Sequence, residues 1–443
     1  MQAITLTLAA IISCAVLLLP PARAFAVYII ALFFYPVYLV VQLGTLDISL
    51  VRIVVAVLLL RCLLNTNLKA KFKWCQLDTW VTLAALVHFI IALAAWKMPI
   101  SKSFENSSGN LMDTYFAYLA ARFCLTDYKA VVTSVKWIAI SLVPLAILGV
   151  VESYTGWGPY QKLITYCPWQ EATEPTLNIR SGFYRAGGPF SHSILFGAAF
   201  VMFLPLVYWL RHQGGKWRMG SYIITGVLVI GTLSSMSSGP VMMLVFVLFF
   251  LFLERHKTYV KPVLIFAVIF CFLVDLISNR TFYHVLASYA DPIGGSGWHR
   301  AKLIDLAIER FSEWWLVGYG MQDPGWGQSL GMTWTDITNH YLVTGVKYGM
   351  PGLIAFCAML AVIVIMLIRL HKSTEQPLLK SWCWALGSAL IALSISFNAF
   401  TLFGQSTTLF YCILGFVGSS YNFIIPNNTI NRVKVKKLYR FAN

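Results

Sequence analysis

Apolar residues run through this chain in blocks, and most blocks are long enough to cross roughly 30 Å of hydrocarbon as a helix. They lie near 3–20, 25–43, 48–64, 79–97, 110–125, 131–152, 189–210, 221–235, 238–253, 260–277, 350–370, 380–401 and 406–424. The polar breaks between them are short, apart from the segments 153–188 and 278–349. In lipid a backbone must satisfy its own hydrogen bonds, so blocks of this kind predict helices. The pattern predicts an all-α polytopic membrane protein with about 12–13 transmembrane helices and two large loops. The count is left at two values because 110–125 is amphipathic and 221–235 is short. No internal repeat, low-complexity tract or separate soluble domain interrupts the pattern, so residues 1–443 read as a single transmembrane domain.

Positive charge then orients the blocks, because loops rich in Lys and Arg stay on the cytoplasmic side. The clusters are Arg23; Arg61 with Lys69, Lys71 and Lys73; Arg122 with Lys129; Arg211, Lys216 and Arg218; Arg255, Lys257 and Lys261; Arg369, Lys372 and Lys380; and the tail from Arg432 to Arg440. Threading the chain with every cluster inside puts both long segments, 153–188 and the larger 278–349, on the outer face. The first block ends in Pro20-Pro21-Ala22-Arg23-Ala24, which looks like a signal-peptide ending. Residues 1–5 carry no Lys or Arg, however, and the charge follows the apolar run. A retained helix with its N-terminus outside is expected.

Composition agrees with this reading. Hydrophobic residues make up 58% and charged residues 11%, outside the range of water-soluble domains. The net charge of +16 resembles that of a nucleic-acid binder until it is distributed. Most of it sits in the cytoplasmic clusters, where topology and anionic lipid account for it, so no nucleic acid is implied. Of the nine cysteines only Cys167 falls in an outer segment, which rules out a disulfide framework there. There is no CxxC and no zinc-like spacing.

Candidate chemistry concentrates in the outer segments. The first alternates aromatic residues with Gly and Pro; Trp157 and Trp169 are either interfacial anchors or faces for stacking sugars. Arg180 and Arg185 precede Gly187-Gly188-Pro189 at the mouth of the next span. A guanidinium fork suits bidentate phosphate recognition, and paired glycines let backbone N–H groups approach an anion. Snorkelling to lipid headgroups is the alternative for both arginines.

The second segment carries Asn279-Arg280, Asp291-Pro292 and Gly297-Trp298-His299-Arg300, then a helical run from Ala301 to Glu313. A cation at a helix's first turn opposes the helix dipole, and an anion bound beside Arg300 would relieve that conflict. Trp298 and Tyr319 are further candidates for stacking a sugar. The segment closes with Asp336, Asn339 and His340, a group able to move a proton near neutral pH or merely to hydrogen-bond. Within the spans, His88 fits a buried helix–helix hydrogen bond, and Asp275 is a second ionisable candidate.

The order Arg185-x-x-Gly188 before a span, Arg300 before a helix, Gly318-Tyr319-Gly320, Asn339 and Gly349-x-x-Gly352 resembles the O-antigen ligase and Wzy-type polysaccharide polymerase family, over roughly residues 150–360. That resemblance implies a glycosyltransferase of the bacterial inner membrane, with its active face periplasmic. Such an enzyme takes a glycan from undecaprenyl diphosphate and passes it to an acceptor without metal or cofactor. The lack of a DxD-type acidic motif in either outer segment agrees with metal-free chemistry. By resemblance, Arg185 and Arg300, with Arg180, hold the diphosphate, and His340, with Asp336 and Asn339, activates the acceptor hydroxyl. The ligase pattern places His-Asn nine residues before Gly-x-x-Gly, but here Thr338-Asn339 stands there. Likewise Ser238 replaces the arginine of a Ser-Arg-Gly turn. Both departures favour a polymerase of exopolysaccharide or O-antigen repeat units over a ligase acting on lipid A core. Its expected partners are the lipid-linked donor, a glycan acceptor, the bilayer and a chain-length regulator. A transporter of lipid-linked sugars is disfavoured, since the charged candidates lie in outer loops rather than at mid-membrane.

Overall fold

Pro21 opens the second helix at its first position, where a missing N–H costs nothing. Asp127 caps another by accepting from the Ala130 N–H at 2.9 Å. Local signals of this kind open several of the helices. The computed structural model describes residues 1–44, 46–95, 99–168, 179–277 and 297–440. Trp169, Glu171 (a further candidate for the base beside His340 and Asp336), Asn279, Arg280 and Asp291 lie outside the described residues, as does the side chain of Asp275.

Most of the described residues are helical. The first part holds α1 (Gln2–Leu18), α2 (Pro21–Phe34), the hairpin β1 (Val40–Leu43) and β2 (Leu46–Ser49), α3 (Leu50–Leu64), α4 (Thr66–Lys71) and α5 (Gln76–Ala94). Next come α6 (Ile100–Leu111), a π-helical turn (Met112–Phe116), α7 (Ala117–Cys124) and α8 (Tyr128–Thr155). A small hairpin, β3 (Ile179–Arg180) with β4 (Phe183–Tyr184), precedes α9 (Ser193–Trp209), α10 (Lys216–Ser234), α11 (Ser238–Arg255) and α12 (Val260–Ile277). The second long segment contributes α13 (Gly297–Glu309) and α14 (Phe311–Trp314) before α15 (His340–Ser373), α16 (Pro377–Ser396) and α17 (Gln405–Arg440). Among the described residues, seven helices are long and apolar enough to cross a membrane, and α1 and α2 are shorter apolar helices.

The block predicted as a helix over 25–43 is corrected here. The helix stops at Phe34, and Tyr35-Pro36 disfavours its continuation. Residues 40–49 fold back as an antiparallel hairpin with Val40 opposite Ser49. The last long loop is also shorter than expected, because α15 begins at His340 rather than near 350.

Two helices form the centre. α9 is apolar on every face, which predicts a helix surrounded by protein. Its span is 89% buried, as is the Gln405–Ile425 part of α17, whereas α5 is only 33% buried and sits at the rim.

The basic clusters gather at one end of this bundle. Arg61 donates to the carbonyl of Leu19 at 2.7 Å, near Arg23. Arg122 reaches the carbonyl of Lys73 at 2.6 Å, and Gln213 reaches Tyr128 at 2.7 Å. Arg211 pairs with Glu254 at 3.0 Å, and Arg369 bonds Gln76 at 2.9 Å. Arg122 itself is no loop cation. It is fully buried, bonding Asp78 through both Nε (2.7 Å) and Nη2 (2.8 Å), while Tyr118 donates to the same carboxylate at 2.6 Å. A buried charge is tolerable when paired and hydrogen-bonded in this way.

Candidate active site opposite the basic end

At the other end of the bundle, the linker between α16 and α17 holds the two long segments together. Its Thr401 hydroxyl donates to the carbonyl of Ile337 at 2.8 Å, and the Leu402 N–H donates to Nδ1 of His340 at 3.3 Å. Gln405 donates to the carbonyl of Pro189 at 3.2 Å, and also to those of Leu32 and Tyr35. Phe400 packs so closely on Gly239 that a Cβ there would lie 2.9 Å from its ring. The close of the second segment, the start of α9 and the Ser237-Ser238-Gly239 turn therefore all touch one short stretch of chain.

In the first segment, Arg180 stands half-buried in the β3–β4 hairpin. Arg185 follows it and donates from Nη2 to the Ser237 hydroxyl at 2.9 Å; Ser237 in turn lies 3.3 Å from the Ser193 hydroxyl. A guanidinium thus reaches the turn where Ser238 replaces an expected arginine, but it comes from the loop. The N–H of Ala186 bonds the Ser234 carbonyl at 3.1 Å, which pins Arg185 to that turn.

The paired glycines do hold an anion, and it is internal. The Gly188 N–H donates to the Glu152 carboxylate at 2.9 Å, with Gly187 and Gln161 as further donors. The glycine pair was expected to receive a ligand anion; in this structure a carboxylate from the last turn of α8 occupies it. His192 caps α9, its Nδ1 accepting from the Ile194 N–H at 3.1 Å. The residue is exposed by surface area, yet the protein around it, then the Arg185 charge, push its pKa down to about 4. It is a neutral imidazole beside a cation. Trp157 is exposed and remains available for stacking.

The second segment has a small core of its own. Leu303, Leu306 and Ala307 from α13 meet Trp314, Tyr319, Trp326, Leu330 and Val346. Gly349 breaks α15 with φ +66°, a conformation that side chains rarely adopt. The break frees carbonyls, and the Gly318-Tyr319-Gly320 turn takes them: Tyr319 N–H to Val346 O at 2.7 Å, Gly320 N–H to Lys347 O at 3.0 Å. Met350 N–H answers to Trp315 O at 2.7 Å. Gly318 is needed for the close approach, since a Cβ there would sit 2.6 Å from the Lys347 carbonyl. The two glycine motifs, far apart in sequence, are one structural unit.

This unit corrects the role expected of Tyr319. It is 3% exposed and its hydroxyl is tied to Glu313, so it offers no face to a sugar. Trp298 is exposed. Arg300 is 7% exposed in the first turn of α13. Asp336 is half-buried; burial raises its carboxyl pKa, and the neighbouring His299 opposes that rise. The His299 Nε2 lies 2.9 Å from the Asp336 carbonyl.

Asn339 is the N-cap of α15, its side-chain oxygen accepting from the Leu342 N–H at 3.0 Å. His340 is the first residue of that helix, with its ring against Phe397 and Phe356. An imidazole whose Nδ1 accepts a backbone N–H carries its proton on Nε2, so in its neutral form it is a donor. In the neutral ring the lone pair of His340 is thus engaged by the Leu402 N–H, and the Asn339 side-chain oxygen is engaged at the helix end.

Beneath this end, a cavity with room for about one water lies between α5, α6, α15 and the Gly320-Met321 turn. His88 bonds the Gly352 carbonyl there at 3.1 Å and stacks on Tyr348, the helix–helix contact expected of it. Arg52 holds Asp113 of the π-helical turn, with its shortest contact at 2.6 Å.

No family model matches this chain. A search of curated proteins likewise found no match.

Sequence reasoning did not single out Ser237, His192, Glu152, His299 or the Arg52–Asp113 pair as site residues. For Glu152 a signal existed, since a carboxylate inside a predicted span is a functional candidate by default. The others depend on partners that only folding brings near.

Proposed function

We propose that this protein is a metal-independent glycosyltransferase of the bacterial cytoplasmic membrane. It polymerises undecaprenyl-diphosphate-linked repeat units of an exopolysaccharide or O-antigen on the periplasmic face. The observation that carries the reading is the meeting of both arginine-bearing segments on the 397–405 linker, at the end opposite the basic clusters. The ordered motifs of residues 150–360 supply the resemblance to O-antigen ligases and Wzy-type polymerases.

In this reading the donor's diphosphate lies between Arg185 and Arg300. Charge grows on that diphosphate as the anomeric carbon–oxygen bond breaks, and fixed guanidinium groups stabilise it. Ser237 and the neutral His192 add donors without adding charge. Exposed Trp157 and Trp298 provide faces for sugar rings.

The test is a glycan profile from cells lacking the protein. Single repeat units accumulating on the lipid carrier, with no long polymer, support the polymerase. Long polymer stranded on its carrier and absent from lipid A core means a ligase instead. Lipid-linked units confined to the cytoplasmic leaflet point to a transporter and end the loop-chemistry reading.

A further inference from the structure

Four described histidines stand at or near the site, and their hydrogen bonds divide them by which nitrogen is free to accept a proton. At His192 and His340, Nδ1 accepts a main-chain N–H, so in the neutral ring Nε2 bears the hydrogen and is a donor. His88 faces the Gly352 carbonyl through Nε2 but is 8% exposed and stacked under Tyr348, away from the loops. His299 shares the orientation of His88 but is less buried and lies in the second segment itself. Its Nε2 faces a carbonyl, that of Asp336, at 2.9 Å, so Nε2 must be the donor and Nδ1 carries the lone pair. The ring is half-buried, next in sequence to Arg300 and in the same first turn of α13.

We propose that His299 is the general base of this site, taking the proton of the acceptor hydroxyl on Nδ1. The inference rests on the glycosyl-transfer reading above. As the acceptor O–H bond breaks, its proton moves to Nδ1 and its oxygen electron pair forms the new bond to the anomeric carbon. The bond from that carbon to the diphosphate oxygen breaks, its electron pair leaving with the lipid diphosphate beside Arg300. The imidazolium then returns its proton to solvent. Asp336 serves this step twice: its carbonyl fixes the tautomer, and its carboxylate stands close enough to interact with the positive ring. That is the division of labour of an acid that orients a histidine without itself taking the proton. Asp336 is thus a positioning residue.

The test is complementation of cells lacking the chromosomal copy, with polymer length, lipid-linked single units and membrane protein level read together. His299→Asn keeps an N–H for the Asp336 carbonyl but has no basic nitrogen. At normal protein level it should lower polymer synthesis by about 10²–10⁴-fold and accumulate single units. His299→Ala should fail in the same way and recover partly when imidazole is supplied to the medium. Full complementation by His299→Asn overturns the proposal and leaves the glycosyl-transfer reading intact. So does a stable, membrane-inserted His299→Ala that imidazole never rescues. If cells lacking the protein make normal polymer, the glycosyl-transfer reading itself falls and His299 with it.

Discussion

Arg185 lies against Ser237, its Nη2 donating to the hydroxyl at 2.9 Å across 52 positions of sequence. The contact aims a guanidinium at the top of the bundle, between the start of α9 and the start of α11. Arg185→Ala should abolish polymer at unchanged membrane level, and Arg300→Ala should do the same. Arg185→Lys separates charge from geometry, since an ammonium cannot reproduce the fork. Ser237→Ala removes one hydrogen bond to a charged group, worth about 1.5–3 kcal/mol, and should weaken rather than abolish synthesis. Wild-type polymer from Arg185→Ala would remove the diphosphate role given to that residue.

Glu152 joins three pieces of chain: the end of α8, Gln161, and the Gly187-Gly188 pair. Replacing it by alanine leaves buried N–H groups without an acceptor, at a cost of about 1–3 kcal/mol. Glu152→Gln retains an acceptor oxygen and should lose less. Thermal unfolding of the detergent-solubilised protein ranks the three. Identical midpoints for all would show that the glycine pair does not depend on this carboxylate.

His192 is held neutral, with its pKa pushed down to about 4 by burial and by Arg185. A group whose pKa is depressed on folding contributes stability that is complete above its ordinary value of about 6.5. That contribution is lost as pH falls toward 4. Stability should therefore decline between roughly pH 6.5 and 4 in the wild type, and less steeply in His192→Asn. Arg185→Ala should raise the His192 pKa, which NMR of the labelled imidazole can follow. A ring that titrates near its ordinary value in the wild type would contradict the neighbourhood described here.

The Asp78–Arg122 pair at the basic end makes a separate prediction about folding. Both side chains are fully buried, so removing either leaves a charge without its partner, typically about 3–5 kcal/mol. Arg122→Ala or Asp78→Ala should sharply reduce folded protein in membranes. The double replacement Asp78→Leu with Arg122→Met removes both charges and should recover much of the loss. A double variant no better than the singles, measured by fluorescence-detected size exclusion, would count against the ion pair as the cause.

Much of the architecture follows from the amino-acid order alone. Apolar length marked the helices, because lipid leaves a backbone no partner but itself. The basic breaks separated one end of the bundle from the other, and the contacts of Arg61, Arg122, Arg211 and Arg369 place them together. Periodicity also predicted the helix after Arg300, since Leu303, Leu306 and Ala307 mark one face. What sequence could not decide was the state of each polar group, because that depends on partners far along the chain. Arg122 looked like a loop cation until Asp78 met it in the core. Gly187-Gly188 looked vacant until Glu152 filled it. Tyr319 looked like a sugar platform until the break at Gly349 drew its turn against α15. The four histidines are equivalent as letters; a carbonyl or an N–H brought in from elsewhere decides which nitrogen holds the proton. Local pattern reports how a segment meets lipid and water, whereas hydrogen-bond direction and burial arise only when distant segments touch.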